Sequence, residues 1–293
     1  MSIKISGTGS FIPKNIVKNN TFLDSEFYDK NGEPYPNSNK DIIEKFELIT
    51  GIKERRYADK NHNTSDLATF ASIEAIKDAG IDKEEIDYII VAHNFGEIDY
   101  NTNQYIALPS VATLVKHKLE ISNENCVAYD IIFGCPGWVE GIIQAKAFIN
   151  SGMAKKCLVI GADTLSRTVD KNDRDSLIFA DGAGAAIVEK SEDEGGILSH
   201  KTITKAGKEA LYLFCKNSYN PKIKSKTKFI KMNGRKVYEF AISTIPYALK
   251  SCIEKSGKNI DDIKKIFLHQ ANEKLDEAVL KYFYKLYDRP IPE

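Results

Sequence analysis

The stretch Val127-Ala-Tyr-Asp-Ile-Ile-Phe-Gly-Cys-Pro-Gly-Trp138 sets the fold class of this chain. Its apolar run through Ile131-Ile132 reads as a buried strand, Gly134 as a turn, and the continuation to Ile149 as a helix that stops at Ser151-Gly152. Pro136 suits the first helical position, because its missing N–H would be unpaired there anyway. Cys135 then faces the positive end of the helix dipole. That placement predicts a pKa below the free value of about 8.5 and more thiolate at neutral pH. Position alone leaves two readings: a nucleophile, or a small core residue, the usual fate of an unpaired cysteine.

Outward from that stretch, strands and helices alternate. Ile86–Ala92, Cys126–Ile132, Cys157–Gly161 and Ala185–Glu189 are short, nearly continuous apolar runs, as expected of strands covered on both faces. Between them lie helical patterns, among them 65–79, which ends at Gly80. Further on, 237–253 carries one apolar stripe and Pro246, where a kink is expected, and a last helix carries Leu275, Val279, Tyr282, Phe283 and Leu286. The fold class is α/β. The segment from Pro221 to Lys231 places lysines at alternate positions and reads as a strand with one solvated face, with a docking surface as the other reading.

Composition narrows the function. The 293 residues can form one large domain or two moderate ones, and 42% hydrophobic residues can fill a core. Lys+Arg and Asp+Glu stand at 41 each, which removes the usual electrostatic case for nucleic-acid binding. No apolar run reaches a membrane span and the N-terminus lacks a signal-peptide core, so the expected compartment is the cytoplasm. Cysteines at 126, 135, 157, 215 and 252 form neither a disulfide framework nor a metal-ligand pair. All but Cys135 read as core filler.

A weak internal repeat links two segments at an offset of 177 residues. Glu74–Gly80 leads to Ile86 and the strand Ile89–Val91; Ser251–Gly257 leads to Ile263 and a predicted strand Ile266–Leu268. His269 stands where the first copy has Ala92, as an addition to the scaffold. Taken alone it is a hydrogen-bonded structural histidine or a functional one, and His93, also at a strand end, is a weaker competitor for the role of base.

Cys135 and the run His269-Gln-Ala-Asn272 together resemble the thiolase-fold condensing enzymes, most closely 3-oxoacyl-acyl-carrier-protein synthase III. The likeness covers nearly the whole chain. Gly7–Pro13, Thr50-Gly-Ile-Lys-Glu-Arg-Arg56, Leu108-Pro-Ser110, Gly161-Ala-Asp163, Asp173-Arg174, Phe179–Ala185 and Met232–Val237 follow in the family's order. The resemblance implies a five-layer αβαβα thiolase-like architecture of two pseudo-repeated halves, 1–190 with the cysteine and 191–293 with the histidine. It implies a decarboxylative Claisen condensation in which Cys135 carries the acyl group and His269 donates a hydrogen bond to the thioester oxygen. The substrates implied are coenzyme A or acyl-carrier-protein thioesters, with no metal and no cofactor, on a homodimer that takes acyl-carrier protein as partner. Arg174, Asn272 and Leu108 would meet substrate.

Four departures from the family qualify what is carried over. The family's third catalytic residue is an asparagine in a Gly-Asn segment beyond the histidine. The sequence reaches Glu293 before it, which predicts a second half incomplete at its C-terminus. Lys45 and Ile49 stand where the family has an aromatic residue and an arginine, and Lys274 replaces another arginine; lysine holds a phosphate but lacks planar stacking, which points to a primer delivered on a carrier protein. Leu108 replaces a bulky phenylalanine, which predicts a primer longer than acetyl. Pro136 follows the cysteine where the family has a small residue. Other readings are a same-fold secondary-metabolite ketosynthase making an alkylresorcinol or polyketide, a catalytically silent partner subunit, and a thioester hydrolase.

Overall fold

In the computed structural model, which describes residues 2–292, the chain forms two compact units interleaved in sequence. The first takes the residues up to Ile16, Arg56–Thr168 and Ala180–Leu198; the second takes Val17–Arg55, Val169–Phe179 and the chain from Ser199 onward. A cut at 190/191 differs from this packing. Residues 17–55 and 169–179 interrupt the first unit in sequence and belong to the second.

The first unit is built on five strands: β1 (Ser2–Phe11), β2 (Tyr88–His93), β3 (Val127–Ile132), β4 (Lys156–Thr164) and β5 (Asp181–Ser191). Their order is β1-β5-β4-β2-β3. β2 runs parallel to β3 and β4, while β5 runs antiparallel to β4 and β1. Successive side chains leave opposite faces of a strand. On one face Ile89, Val91, Leu158, Ile160 and Ile187 join Ala68, Ala71 and Ala75 of helix Thr64–Ala79 and Val115 of helix Val111–Lys118. On the other, Ile90, Cys157, Val159 and Val188 join Ile142, Ala145 and Ile149 of helix Gly137–Asn150. Helices cover both faces, which is why the strands read as continuous apolar runs. β1 crosses helix 64–79 at close range: a Cβ on Gly9 would lie 2.1 Å from the Ala71 carbonyl oxygen.

The second unit contains helices Asn39–Thr50, Gly234–Ser256 and Glu273–Lys285 and an antiparallel pair, Leu213–Lys216 with Phe229–Met232. The 234–256 helix runs through Pro246. Three expectations fail here. Ile266–Leu268 is not a strand: no neighbouring strand pairs with it among the described residues, and an isolated strand cannot satisfy its backbone groups. Of the lysine-rich segment only 229–232 is extended in a sheet, and Lys231 is buried rather than solvated. Its ammonium lies 2.5 Å from an Asp170 oxygen and 3.0 Å from one of Asp173, which makes the burial tolerable. Cys215 is exposed and Cys252 half-buried, so only Cys126 and Cys157 are core residues. Among the described residues no helix is long and apolar enough to cross a membrane.

Candidate active site

β3 ends at Ile132 and the chain turns through Phe133-Gly134-Cys135. Gly134 has φ +69°, a left-handed conformation that favours glycine, and its amide donates to the His93 carbonyl at 3.4 Å. Gly137 opens the helix and donates to the Gly134 carbonyl at 2.8 Å. A Cβ on Gly137 would come within 2.7 Å of the Ala92 Cβ, so the absence of a side chain lets the helix start close against β2. Pro136 is therefore the residue before the helix, not its first, and Cys135 precedes it.

The thiol is exposed, as a nucleophile must be. Its ionisation departs from the expectation. Enough protein surrounds the sulfur that desolvation pushes its pKa up, the charge of Asp163 adds to this, and a backbone hydrogen bond opposes it. The cysteine lies outside the first helical turn, where the dipole effect is strongest. At rest the group is a thiol.

Two carboxylates lie beneath the turn. Asp130 of β3 accepts Nε2 of the buried His93 at 3.0 Å and the amides of Val111 and Ala112 at 2.8 and 2.7 Å. Those amides open the 111–118 helix, so the carboxylate sits at its positive end. His93 Nδ1 is buried with no partner among the described residues. Both ring nitrogens of His93 are thus removed from solvent. Asp163 of β4 accepts the Asn94 amide at 3.0 and 3.2 Å and the Asn94 side-chain amide at 2.7 Å. Burial pushes its pKa up to about 6.

In the second unit His269 lies in the segment before helix 273–285. It is exposed by area, yet surrounding protein desolvates the ring and lowers its pKa, with Asp276 opposing. The neutral ring retains one N–H to donate. Asn272 caps that helix, its side chain accepting from the Leu275 amide at 2.9 Å. Arg174 opens the short helix Arg174–Ile178, and its guanidinium lies 4.5 Å from the Tyr35 ring. Arg174 and Asn272 line one cavity of about 570 Å³ with Lys45, Ile49 and Lys274, the positions singled out from sequence. Arg235 adds a fourth cation, and Ile42, Phe46 and Leu275 supply apolar wall.

Of the sequence-selected residues, Cys135 and Leu108 belong to the first unit and His269, Arg174 and Asn272 to the second. The structure brings Arg174 and Asn272 to one cavity, which His269 does not line. Leu108 is 83% exposed. Asn94 and the Asp163 carboxylate beneath the turn were missed as site residues. Their signal was a polar side chain at the end of an apolar run.

The family model for 3-oxoacyl-[acyl-carrier-protein (ACP)] synthase III matches residues 129–206, which include the turn and Arg174. A beta-ketoacyl-[acyl-carrier-protein] synthase III of Staphylococcus epidermidis is 36% identical over 279 residues, spanning 95% of this chain and 79% of the relative. One of Clostridium acetobutylicum is 37% identical over 284 residues, 96% of this chain and 80% of the relative. The crystal structure of 3-oxoacyl-[acyl-carrier-protein] synthase III from Aquifex aeolicus superposes with a TM-score of 0.78 at 30% identity, covering 99% of this chain and 82% of that one. With its thiolase-like α/β fold, the chain belongs to the 3-oxoacyl-[acyl-carrier-protein] synthase III family, the condensing acyltransferases of fatty acid biosynthesis.

Proposed function

We propose that Cys135 is the nucleophile of a decarboxylative condensation that extends an acyl primer with malonyl-acyl-carrier protein. The exposed sulfur on its glycine turn carries this reading. Sγ loses its proton and attacks the primer's thioester carbon; the carrier thiol leaves and takes up a proton, and an acyl-cysteine remains. Malonyl thioester then loses carbon dioxide, the resulting enolate attacks the acyl carbon, and the Cys135 sulfur departs. Negative charge develops on thioester oxygens in these steps, and a donor placed there typically contributes ~10²–10³ in rate. His269 is that donor in this proposal, in the neutral form that its lowered pKa favours. No metal or cofactor takes part.

The cavity beside Arg174 would receive the phosphopantetheine arm, its cations meeting phosphate and its apolar wall the chain. Arg174 already stacks on Tyr35, and Lys45 offers no planar face, so adenine has little to stack on and an acyl-carrier-protein primer is favoured over coenzyme A. Exposed Leu108, with Tyr105 and Ile106 beside it, supports a homodimer interface and a primer longer than acetyl. The site of action would be the cytoplasm. A polyketide-priming role has less support: relatives at 36–37% identity are beta-ketoacyl-[acyl-carrier-protein] synthases III.

Release of carbon dioxide and 3-oxoacyl product from octanoyl and malonyl carrier-protein thioesters tests the reading. Cys135→Ala should abolish the 3-oxoacyl product, and His269→Ala should lower the rate by ~10²-fold or more. Cys135→Ala turning over at the wild-type rate would end it, and acetyl-coenzyme A outperforming octanoyl thioesters would remove the long-primer assignment.

A further inference from the structure

Beneath Cys135 lies a carboxylate for which the condensation has no direct use. Asp163 is the penultimate residue of β4, and both its oxygens are occupied by Asn94 through one backbone and one side-chain amide, at 2.7 to 3.2 Å. The other end of the same Asn94 amide faces the nucleophile turn: a Cβ on Gly134 would sit 2.8 Å from Asn94 Oδ1. The turn therefore rests on Asn94, and Asn94 rests on Asp163. Gly134 is hydrogen-bonded on its N–H side to His93, the residue before Asn94, so one dipeptide fixes the turn from below.

We propose that Asp163 is a positioning residue for the nucleophile, acting on Cys135 through Asn94 and the Gly134 turn and through its own negative charge. The proposal rests on the reading of Cys135 as nucleophile. Among the charged groups around the turn, Asp163 is the one whose field acts against the Cys135 thiolate. His93 acts on Asp163 in turn and favours its charged form, while Asp130 is engaged by His93 and by two helix amides. Burial opposes the Asp163 charge and pushes the carboxyl pKa up to about 6. Above that pH the Asp163 charge adds to desolvation in opposing the Cys135 thiolate.

Modification by methyl methanethiosulfonate separates these parts. The Cys135 thiolate takes the CH₃S group and methanesulfinate leaves, with the Cys135 peptide followed by mass because Cys215 is also exposed. Asp163→Asn should move the midpoint of the rate–pH curve down by ~1 pH unit. Asn94→Ala keeps the charge, so its midpoint should stay within a few tenths of wild type while kcat falls about tenfold at nearly constant KM. Should Asp163→Asn fail to fold, the wild-type curve still decides: a shoulder near pH 6 supports coupling. An unmoved midpoint in Asp163→Asn, a wild-type line of unit slope through pH 6, or full kcat in Asn94→Ala would each overturn the proposal. The modification needs no acyl thioester, so a thiol that shifts as described yet never accepts an acyl group would sink the nucleophile reading and leave the charge effect standing.

Discussion

Residues 64–93 and 241–270 begin alike and finish differently. Each has a helix that ends on a left-handed glycine, Gly80 at φ +65° or Gly257 at φ +72°. Each then makes a short 3₁₀ turn, Lys83–Glu85 or Ile260–Asp262, at the same 177-residue offset. Both turns start with one device: the Asp82 amide donates to Glu85 at 3.0 Å and the Asn259 amide to Asp262 at 2.8 Å. After that the first segment becomes β2, flanked by β3 and β4, while the second remains an unpaired loop. The lesson is about range. A glycine and a cap are read by the few residues around them, whereas a strand exists only where neighbours complete its hydrogen bonds.

The largest expected effect breaks the pair apart. Ile90 is fully buried and its counterpart Phe267 is 86% exposed. Ile90→Ala should cost about 2–5 kcal/mol and Phe267→Ala less than ~0.5 kcal/mol, read from urea unfolding. Similar costs would mean that residues 266–268 are packed as a strand in solution.

A second effect follows from the charges that the first segment's sheet buries. Asp163, on the strand beside β2, titrates near 6 when folded against a reference of 3.8. The folded state therefore holds its proton more tightly, so this contribution is fully present below about pH 4 and is lost as pH rises through 6. The loss amounts to roughly 2–3 kcal/mol. Asp163→Asn should flatten that part of the stability curve between pH 4 and 6. An unchanged curve would show that the carboxyl is hydrated.

The smallest effect tests the likeness itself. A Cβ at Gly80 or at Gly257 would meet nothing within 4 Å, so only backbone conformation opposes it. Gly80→Ala and Gly257→Ala should each cost ~1–2 kcal/mol, and by nearly the same amount. A large difference would show that the two glycines do different things.

What could be read from sequence follows the same division of range. The strands of the first unit were legible because helices cover both faces, and an apolar run is the direct record of that. Helix ends were legible at Gly80, Gly152 and Gly257, where the signal is a single residue. The failures involve partners brought from afar. Lys231 looks like one more surface lysine until Asp170 and Asp173 arrive beside it. The Cys135 thiol was expected to be acidified by the helix after it, but the surrounding protein desolvates it, and Asp163, brought to it along the parallel β2–β4 pairing, adds to that in the same opposing sense. Lys45, Arg174, Asn272 and Lys274 were picked out separately, and only the folded second unit shows that they share a cavity.

The intact mass of the protein after mixing with octanoyl-acyl-carrier protein addresses the catalytic role of Cys135 most directly. The expected result is one octanoyl adduct, mapped to Cys135, stable in buffer and discharged as 3-oxodecanoyl product when malonyl-acyl-carrier protein is added. An unchanged mass with octanoyl and shorter primers alike, or an adduct that also forms on the Cys135→Ala variant, would contradict it.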